Sequence, residues 1–251
     1  MKNSIFRALP LLAFGLLITW FAIQRPSFSL VAQEQVTVPL SSKPVATPIK
    51  MGRTPGIDLS HFQGSVNWPD VTQQDVKFVF AKASQGVSEA DPKYQANAKG
   101  AREAGMLFGA YHFFSPNKDG KAQAEHFLKT AALTSGYLPP VLDVETLAKN
   151  LTNATLVKQI DIWLSTVHTR LGCQPILYAS PAFYEAHLTG VSAPYHYWLA
   201  SYSTEPRLPK DVKAWLFWQH SQSGKIKGIS GTVDLDWFAG SPSDLEALIC
   251  K

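Results

Sequence analysis

The sequence predicts an α/β fold, a TIM-like barrel of eight strands in which five β/α units are followed by three strands with few helices. Five apolar, strand-like runs alternate with helical patterns over residues 56–180, which is typical of a parallel sheet with right-handed crossovers. After about residue 190, three more strand-like runs leave no room for full helices between them. An open doubly wound sheet is the alternative, but no Gly-rich phosphate loop follows the first strand to favour it.

Each element follows from a local pattern. Strands are predicted at residues 56–60, 77–84, 107–114, 140–145, 175–180, 197–202, 214–220 and 233–238. Helices with apolar residues at three- and four-residue spacing, or with clear end signals, are predicted at residues 91–105, 118–133, 153–172 and 241–249. Asp91 is the expected cap of the first helix, which stops at Gly105, and Asn153 is the expected cap of the third, which stops at Gly172.

The first 32 residues form a targeting segment. Lys2 and Arg7 precede an apolar run over residues 8–23, which predicts either a cleaved signal peptide or a retained membrane anchor. In both cases the rest of the chain is exported, as a periplasmic or secreted protein. Residues 33–53 carry three prolines and little periodicity, which predicts an extended linker before a barrel domain at 54–251.

Charge and cysteine content exclude several function classes. The formal net charge is +4, but residues 33–251 hold 20 basic and 19 acidic residues with no Lys/Arg run, so nucleic acid binding is not expected. Export favours a disulfide between Cys173 and Cys250 over two free buried thiols. No His or Cys spacing predicts a metal site, and we expect a monomer without a cofactor.

Acids and aromatic residues fall where a barrel builds its active site, at the strand ends that face the mouth. Asp58 lies near the end of the first strand, Asp143 and Glu145 at the end of the fourth, and Asp234 and Asp236 in the eighth. Further residues expected to line the mouth, as substrate-binding or supporting groups, are Tyr111, His112, Tyr178, Trp198, Tyr202, Trp218 and Gln219. This lining suits a neutral, polyhydroxylated polymer. Single members have structural alternatives: Asp58 as a helix cap, His112 as a hydrogen-bonded core residue.

The pair in "LDVE" is the strongest single signal for chemistry. Residues i and i+2 of a strand point to the same side, so Asp143 and Glu145 project together. Neighbouring carboxylates push their pKa values apart, and glycosidic bond cleavage commonly uses one protonated and one ionised carboxyl group. Because Glu145 is longer and can reach the leaving oxygen, we assign it as the acid.

The chain resembles the family 25 glycoside hydrolases, lysozymes that cut peptidoglycan between N-acetylmuramic acid and N-acetylglucosamine. The similarity spans roughly residues 56–238 and is carried by the order and spacing of "GIDLSHFQGSVNW", "FVFAKASQG", "DPKYQANAKGAREAGMLFGAYHFF", "PPVLDVE", "ILYAS", "WLASY", "WLFWQHS" and "GTVDLDWF". The resemblance implies the same barrel, with Asp58, Asp143, Glu145 and Asp234 lining the cleft. One departure is Gln85, where the family often has Glu.

The resemblance leaves the nucleophile open. Asp143 is either the nucleophile itself or the group that orients the substrate's own 2-acetamido group, and we favour the second route because the implied substrate carries that acetamide. Two other function classes compete: a chitinase-like hydrolase and a non-catalytic wall-binding protein on the same barrel. A deacetylase would require a metal, for which the ligand spacing is absent.

Overall fold

The computed structural model describes residues 52–251, which form a closed eight-stranded barrel with one additional short strand. The strands are β1 Arg53–Leu59, β2 Phe78–Gln85, β3 Glu89–Ala90, β4 Leu107–Phe113, β5 Val141–Asp143, β6 Ile176–Ala179, β7 His196–Ala200, β8 Phe217–Gly224 and β9 Val233–Ala239. Around the barrel the order is β1-β2-β4-β5-β6-β7-β8-β9, and β9 pairs with β1 to close it, while β3 pairs only with β2. The predicted barrel is confirmed. The predicted targeting segment, 1–32, and the linker up to residue 51 lie outside the described residues.

One strand of the barrel runs against the other seven. The barrel strands β1, β2 and β4 to β8 are parallel to their neighbours, but β9 runs antiparallel to both β8 and β1, and β3, outside the barrel, pairs antiparallel with β2. Only residues 225–232 connect β8 to β9, and a parallel crossover needs a dozen or more residues. The amino end of β9 therefore faces the same way as the carboxyl ends of the other strands. This places Asp234 near the barrel mouth and Asp236 deeper inside.

Helices cover the first part of the barrel, as the strand–helix rhythm indicated. They are α1 Trp68–Val71, α2 Tyr94–Glu103, α3 Gly120–Ala131, α4 Asn153–Leu171, α5 Pro181–His187 and α6 Pro242–Glu246, with a 3-10 turn at His61–Gln63. The expected cap at Asn153 is wrong, because Thr152 caps α4 with a side-chain oxygen that accepts the N–H of Thr155. Asp91 lies one turn before α2 and accepts the N–H of Lys93. The short α1 and α5 were not predicted.

Two apolar layers hold the barrel together. The inner layer consists mainly of aromatic side chains that fill the barrel: Phe78, Phe80, Val141, Ile176, Tyr178, Trp198, Phe217 and Phe238. The outer layer lies between strands and helices and includes Phe127 and Trp163. At Gly109 an added Cβ would lie 2.2 Å from the Phe80 ring, so glycine is required for that ring to pack across the barrel.

No helix within residues 52–251 is both long enough and apolar enough to span a membrane. The apolar run at residues 8–23, which raised the alternative of an anchor, lies outside the described part of the chain.

Cys173 and Cys250 form a disulfide, with Cα atoms 5.6 Å apart, which confirms the predicted pairing. Cys173 lies between α4 and β6, at the barrel end opposite the mouth. Cys250 is also fixed by its backbone, since its N–H donates to the carbonyl of Tyr137 and its carbonyl accepts from Gly136 N–H. The bridge therefore joins the end of the chain to the bottom of the barrel.

Replacing both cysteines by serine should lower the free energy of unfolding while sparing activity. The bridged cysteines are 77 residues apart, and closing a loop of that size stabilises by at most about 4–5 kcal/mol in the chain-entropy model. Denaturant unfolding of the double variant measures the loss of stability. Glycan cleavage at a temperature where the variant is folded shows whether activity is unchanged. An unchanged unfolding midpoint would show that the bridge contributes nothing to stability.

Candidate active site

A cleft of about 300 Å³ opens at the barrel mouth. It is bounded by the carboxyl ends of the parallel strands and by the amino end of β9. The residues that line it are Asp58, Ser60, Phe62, Gln63, Lys82, Tyr111, Phe113, Val141, Asp143, Glu145, Tyr178, Trp198, Tyr202, Gln219, Gln222 and Asp234. The four acids expected at the mouth, Asp58, Asp143, Glu145 and Asp234, are thus brought together in one cleft.

Asp143 and Glu145 lie side by side but in different environments. β5 ends at Asp143, so Glu145 belongs to the following loop and the predicted strand at 140–145 is too long. Asp143 is buried and Glu145 is exposed. Burial, then the charge of Glu145 and a hydrogen bond with it, hold the pKa of Asp143 well above its usual range. Asp143 therefore holds its proton to a higher pH than an ordinary aspartate and can share it with Glu145.

One oxygen of Asp143 is left unsatisfied by the surrounding protein. Its Oδ1 is fully buried and has no hydrogen-bond partner among the described residues. A buried polar atom without a partner costs about 1–3 kcal/mol. Asp143 therefore carries an unsatisfied oxygen at the wall of the cleft.

Gln219 connects Asp58 to two tyrosines on the opposite part of the wall. Its Nε2 donates to Asp58 Oδ2 at 2.8 Å, and its Oε1 accepts from the hydroxyls of Tyr178 at 2.9 Å and Tyr202 at 2.7 Å. Each polar atom of the amide is thus engaged, so the orientation of Gln219 is fixed by its neighbours. The network holds Asp58 in place at the wall of the cleft.

Asp58 lies in the densest group of acids. Asp234 is its partner in the β1–β9 register, and Asp236 is two residues further along on the same side of the sheet. Burial, and then the charge of Asp234, raise the pKa of Asp58 to about 8. Burial also raises the pKa of Asp236 well above its usual range, and Trp198 Nε1 donates to Asp236 Oδ1 at 3.1 Å. Asp236 lies below the cleft, where it supports Trp198 and Asp58.

Asp234 lies across the mouth from Glu145. β9 and β5 are separated by three strands on either side of the eight-stranded ring. Asp234 is only partly buried, and burial followed by the charge of Glu145 raises its pKa to about 6. At neutral pH it therefore supplies the negative charge opposite the proton-holding pair.

Comparisons with known proteins identify the family of this barrel. The family model "Glycosyl hydrolases family 25" matches residues 57–229. The chain belongs to family 25. It is 38% identical over 199 residues to the uncharacterized protein YegX of Escherichia coli K12, covering 77% of this chain and 72% of YegX. It is 33% identical over 209 residues to lysozyme M1 of Streptomyces globisporus, covering 77% of this chain and 70% of that enzyme.

The barrel also superposes on a solved lysozyme structure. The bacterial lysozyme of Streptomyces coelicolor matches with a TM-score of 0.75 and 32% identity, over 79% of this chain and 98% of that one. The match confirms the fold that the sequence predicted.

His112 does not reach the cleft, contrary to the expectation that it lines the mouth. Its ring lies on the outer side of β4, stacked on Trp163, and hydrogen-bonds Ser84 at 2.8 Å and Gln123 at 3.3 Å. Burial lowers its pKa to about 3, so the imidazole is neutral. His112 is therefore a hydrogen-bonded core residue, which was the structural alternative to a role in the cleft.

Trp218 also faces away from the cleft, on the outer side of β8, contrary to the expectation that it lines the mouth. Its Nε1 donates to the carbonyl of Ser201 at 2.7 Å, and its ring lies near Trp215 and under the guanidinium of Arg53. The neighbouring Gln219 points inward instead, as the alternation of a strand requires.

Lys82 is a cleft residue that the sequence analysis missed. It follows Phe78 and Phe80 as the third inward-facing residue of β2 and brings a positive charge to the cleft, which opposes in part the rise in the pKa of Asp143 caused by burial and Glu145. Its Nζ donates to Gln85 Oε1 at 2.6 Å. Because Gln85 is neutral where the family often has Glu, the Lys82 charge is not offset by residue 85.

Phe62 was also missed, although it is the most exposed large apolar side chain within residues 52–251. Sequence patterns give little warning of it, since it lies in a 3-10 turn outside any strand or helix periodicity. Within residues 52–251, no group of three or more His, Cys, Asp and Glu side chains is arranged to hold a metal ion.

Proposed function

We propose that this protein is a lysozyme-type muramidase that hydrolyses the β-1,4 bond between N-acetylmuramic acid and N-acetylglucosamine in peptidoglycan. The observation that carries the proposal is the placement of a buried, proton-holding Asp143 beside an exposed Glu145 in the cleft of a family 25 barrel. Lysozyme M1, a relative by sequence, is named for the same activity. The apolar run at 8–23 would direct the protein to the wall, whether it is cleaved or kept as an anchor.

Glu145 is the proposed general acid. Its carboxyl group is exposed to the cleft, whereas that of Asp143 is buried, so Glu145 is the member of the pair that can reach the glycosidic oxygen. The proton shared with Asp143 is then available for the leaving group. Asp234, across the mouth, adds negative charge that favours the positive charge developing at the sugar carbon.

Asp143 is proposed to orient the 2-acetamido group of the substrate. Asp143 lines the cleft, and its carboxyl group is suited to accept the acetamide N–H, which would aim the acetamide oxygen at the anomeric carbon. When Glu145 takes the shared proton to the leaving oxygen, Asp143 becomes the carboxylate that stabilises the cyclic cation. Water that gives its proton to Glu145 then attacks the anomeric carbon and breaks its bond to the acetamide oxygen, so that the carboxyl pair regains its proton.

Analysis of the first digestion products tests the proposal. We expect new reducing ends on N-acetylmuramic acid, released first as the β-anomer, since two displacements restore the starting configuration. Proton NMR of the anomeric signals in the first minutes, with identification of the reduced end sugar, gives both results.

Other outcomes would point to the competing classes. Reducing N-acetylglucosamine would replace the muramidase with another glycosidase specificity, and an α-anomer appearing first would exclude the acetamide route. Binding to insoluble peptidoglycan with no new reducing ends would leave a wall-binding protein.

A further inference from the structure

Exposed apolar side chains gather at the same end of the barrel as the acids. Among residues 52–251, the exposed large hydrophobic side chains are Phe62 at 80%, Tyr202 at 52% and Val87 at 39%. They follow β1, β7 and β2 respectively, so all three lie at the mouth. Phe62 and Tyr202 line the cleft, and Val87 does not. An exposed ring beside a polar cleft is typical of a ligand-binding groove.

The turn that carries Phe62 is fixed rather than loose. Ser60 and Gln63 form a reciprocal capping box around it, with Ser60 Oγ accepting the N–H of Phe62 and Gln63 Oε1 accepting the N–H of Ser60. Gln63 Nε2 also donates to the carbonyl of Thr232, just before β9. These hydrogen bonds fix the turn between the end of β1 and the start of β9, two neighbouring strands at the mouth.

His61 provides a third attachment and a backing for the ring. Its backbone N–H donates to Asp91 Oδ2 at 3.0 Å, and its Nδ1 lies 2.7 Å from the same oxygen. The Asp91 side chain is fully buried. The His61 ring lies 4.1 Å from the Phe62 ring, centroid to centroid. A ring held in this way loses little conformational entropy when a ligand packs on it.

The barrel order places Phe62 on one side of the reacting bond. Glu145 and Asp234 follow or begin strands on opposite sides of the ring, and the line between them separates β1, β2 and β4 from β6, β7 and β8. Phe62 lies on the first side and Tyr202 on the second. A glycan strand that passes between the two acids therefore crosses the mouth with Phe62 toward one end and Tyr202 toward the other.

We propose that Phe62 is a sugar-stacking platform, a specificity residue that binds one pyranose ring of the glycan strand on the β1 side of the cleaved bond. The C–H face of a pyranose is apolar and flat enough to cover an exposed phenyl ring, and covering the ring removes its apolar surface from water. This inference rests on the proposed glycan-cleaving function and adds a subsite to it.

Kinetics of Phe62 variants on purified, solubilised glycan strands test the platform. Phe62→Ala should raise KM about tenfold, the loss expected when one partly covered aromatic side chain is removed, and should leave kcat within about twofold. Phe62→Trp should keep a low KM because it retains a flat aromatic face. Phe62→Leu, which is apolar but not flat, should behave like the alanine variant. Val87→Ala removes an exposed apolar side chain outside the cleft and should change nothing.

A binding measurement separates this inference from the proposed function. Co-sedimentation with insoluble peptidoglycan is carried out in the Glu145→Gln background, with and without Phe62→Ala, and weaker binding of the double variant is expected. If Phe62→Ala leaves both KM and co-sedimentation equal to those of Val87→Ala, the platform is refuted whatever the enzyme cuts. If Phe62→Leu matches Phe62→Trp, stacking is refuted. Absence of cleavage by the wild type would instead refute the proposed function, and the co-sedimentation result would still decide on Phe62.

Discussion

The Glu145→Gln variant is expected to lose about 10²–10⁴-fold in kcat on peptidoglycan while keeping the wild-type fold. The amide has nearly the same shape as the carboxyl group but cannot donate the proton shared with Asp143. Because Glu145 is exposed and lies in a loop after β5, no packing is lost with the substitution. Release of reducing ends measures the activity, and thermal unfolding of the same sample measures the fold.

Glu103→Gln is the matched control for this substitution. The same carboxyl-to-amide substitution is made at Glu103, on the exposed end of α2, where the carboxylate lies 3.9 Å from Lys99 Nζ. We expect wild-type activity from it, since exposed pairs of this kind contribute little. A Glu145→Gln enzyme with more than half the wild-type rate would remove Glu145 from the role of acid.

The fold was predictable because its signals are local and repeated. Apolar runs of strand length alternate with capped helical segments, and the last runs are too close together for helices between them. The direction of β9 required one further step, since the short connection at residues 225–232 allows only a hairpin-like return. The length of this connection can be read from the sequence. It predicts an antiparallel β9 only if the strands that follow a β/α series are not assumed to be parallel.

The sequence placed the acids at the mouth of the barrel, but it did not show which of the residues beside them point into the cleft. Naming every residue at a strand end as a cleft residue ignores the alternation of side chains along a strand. Tyr111 and His112 are adjacent, as are Trp218 and Gln219, and only one residue of each pair can face the cleft. The inward residues are Tyr111 and Gln219, which share a side with the aromatic filling of the barrel. Strict use of the two-residue period would have excluded His112 and Trp218.

Two further residues required the three-dimensional structure for different reasons. Lys82 follows the inward period of β2 but precedes a register shift between Lys82 and Ser84, so the strand end is ambiguous in sequence. Phe62 belongs to a turn whose conformation depends on contacts with Asp91 and Thr232, far away along the chain. Long-range contacts of this kind leave no local pattern.

The Asp143→Asn variant is expected to lose about 10²–10³-fold in kcat, the range seen when one group that stabilises transition-state charge is removed. Asparagine fills the same space but cannot become the carboxylate that stabilises the acetamide-derived cation. The pH profile should change as well. In the wild type, burial and the charge of Glu145 hold the pKa of Asp143 well above its usual range, so the pair retains its proton as pH rises. Without a second carboxyl group, the alkaline limb of the residual activity should move to lower pH.

The Asp143→Asn variant should be more stable than the wild type, although it is less active. A carboxyl group whose pKa is raised by folding contributes most to stability below its unfolded pKa, near 3.9, and that contribution is lost as pH rises through the raised folded value. Asp143→Asn removes this loss, so the variant should unfold at a higher temperature than the wild type at neutral and alkaline pH, and the difference should shrink toward pH 4. Asp75→Asn, an exposed carboxylate paired with Lys77, is the matched control and should change neither property. Loss of activity with lower stability at pH 8 would indicate a damaged barrel, and an unmoved alkaline limb would show that Asp143 and Glu145 do not share a proton.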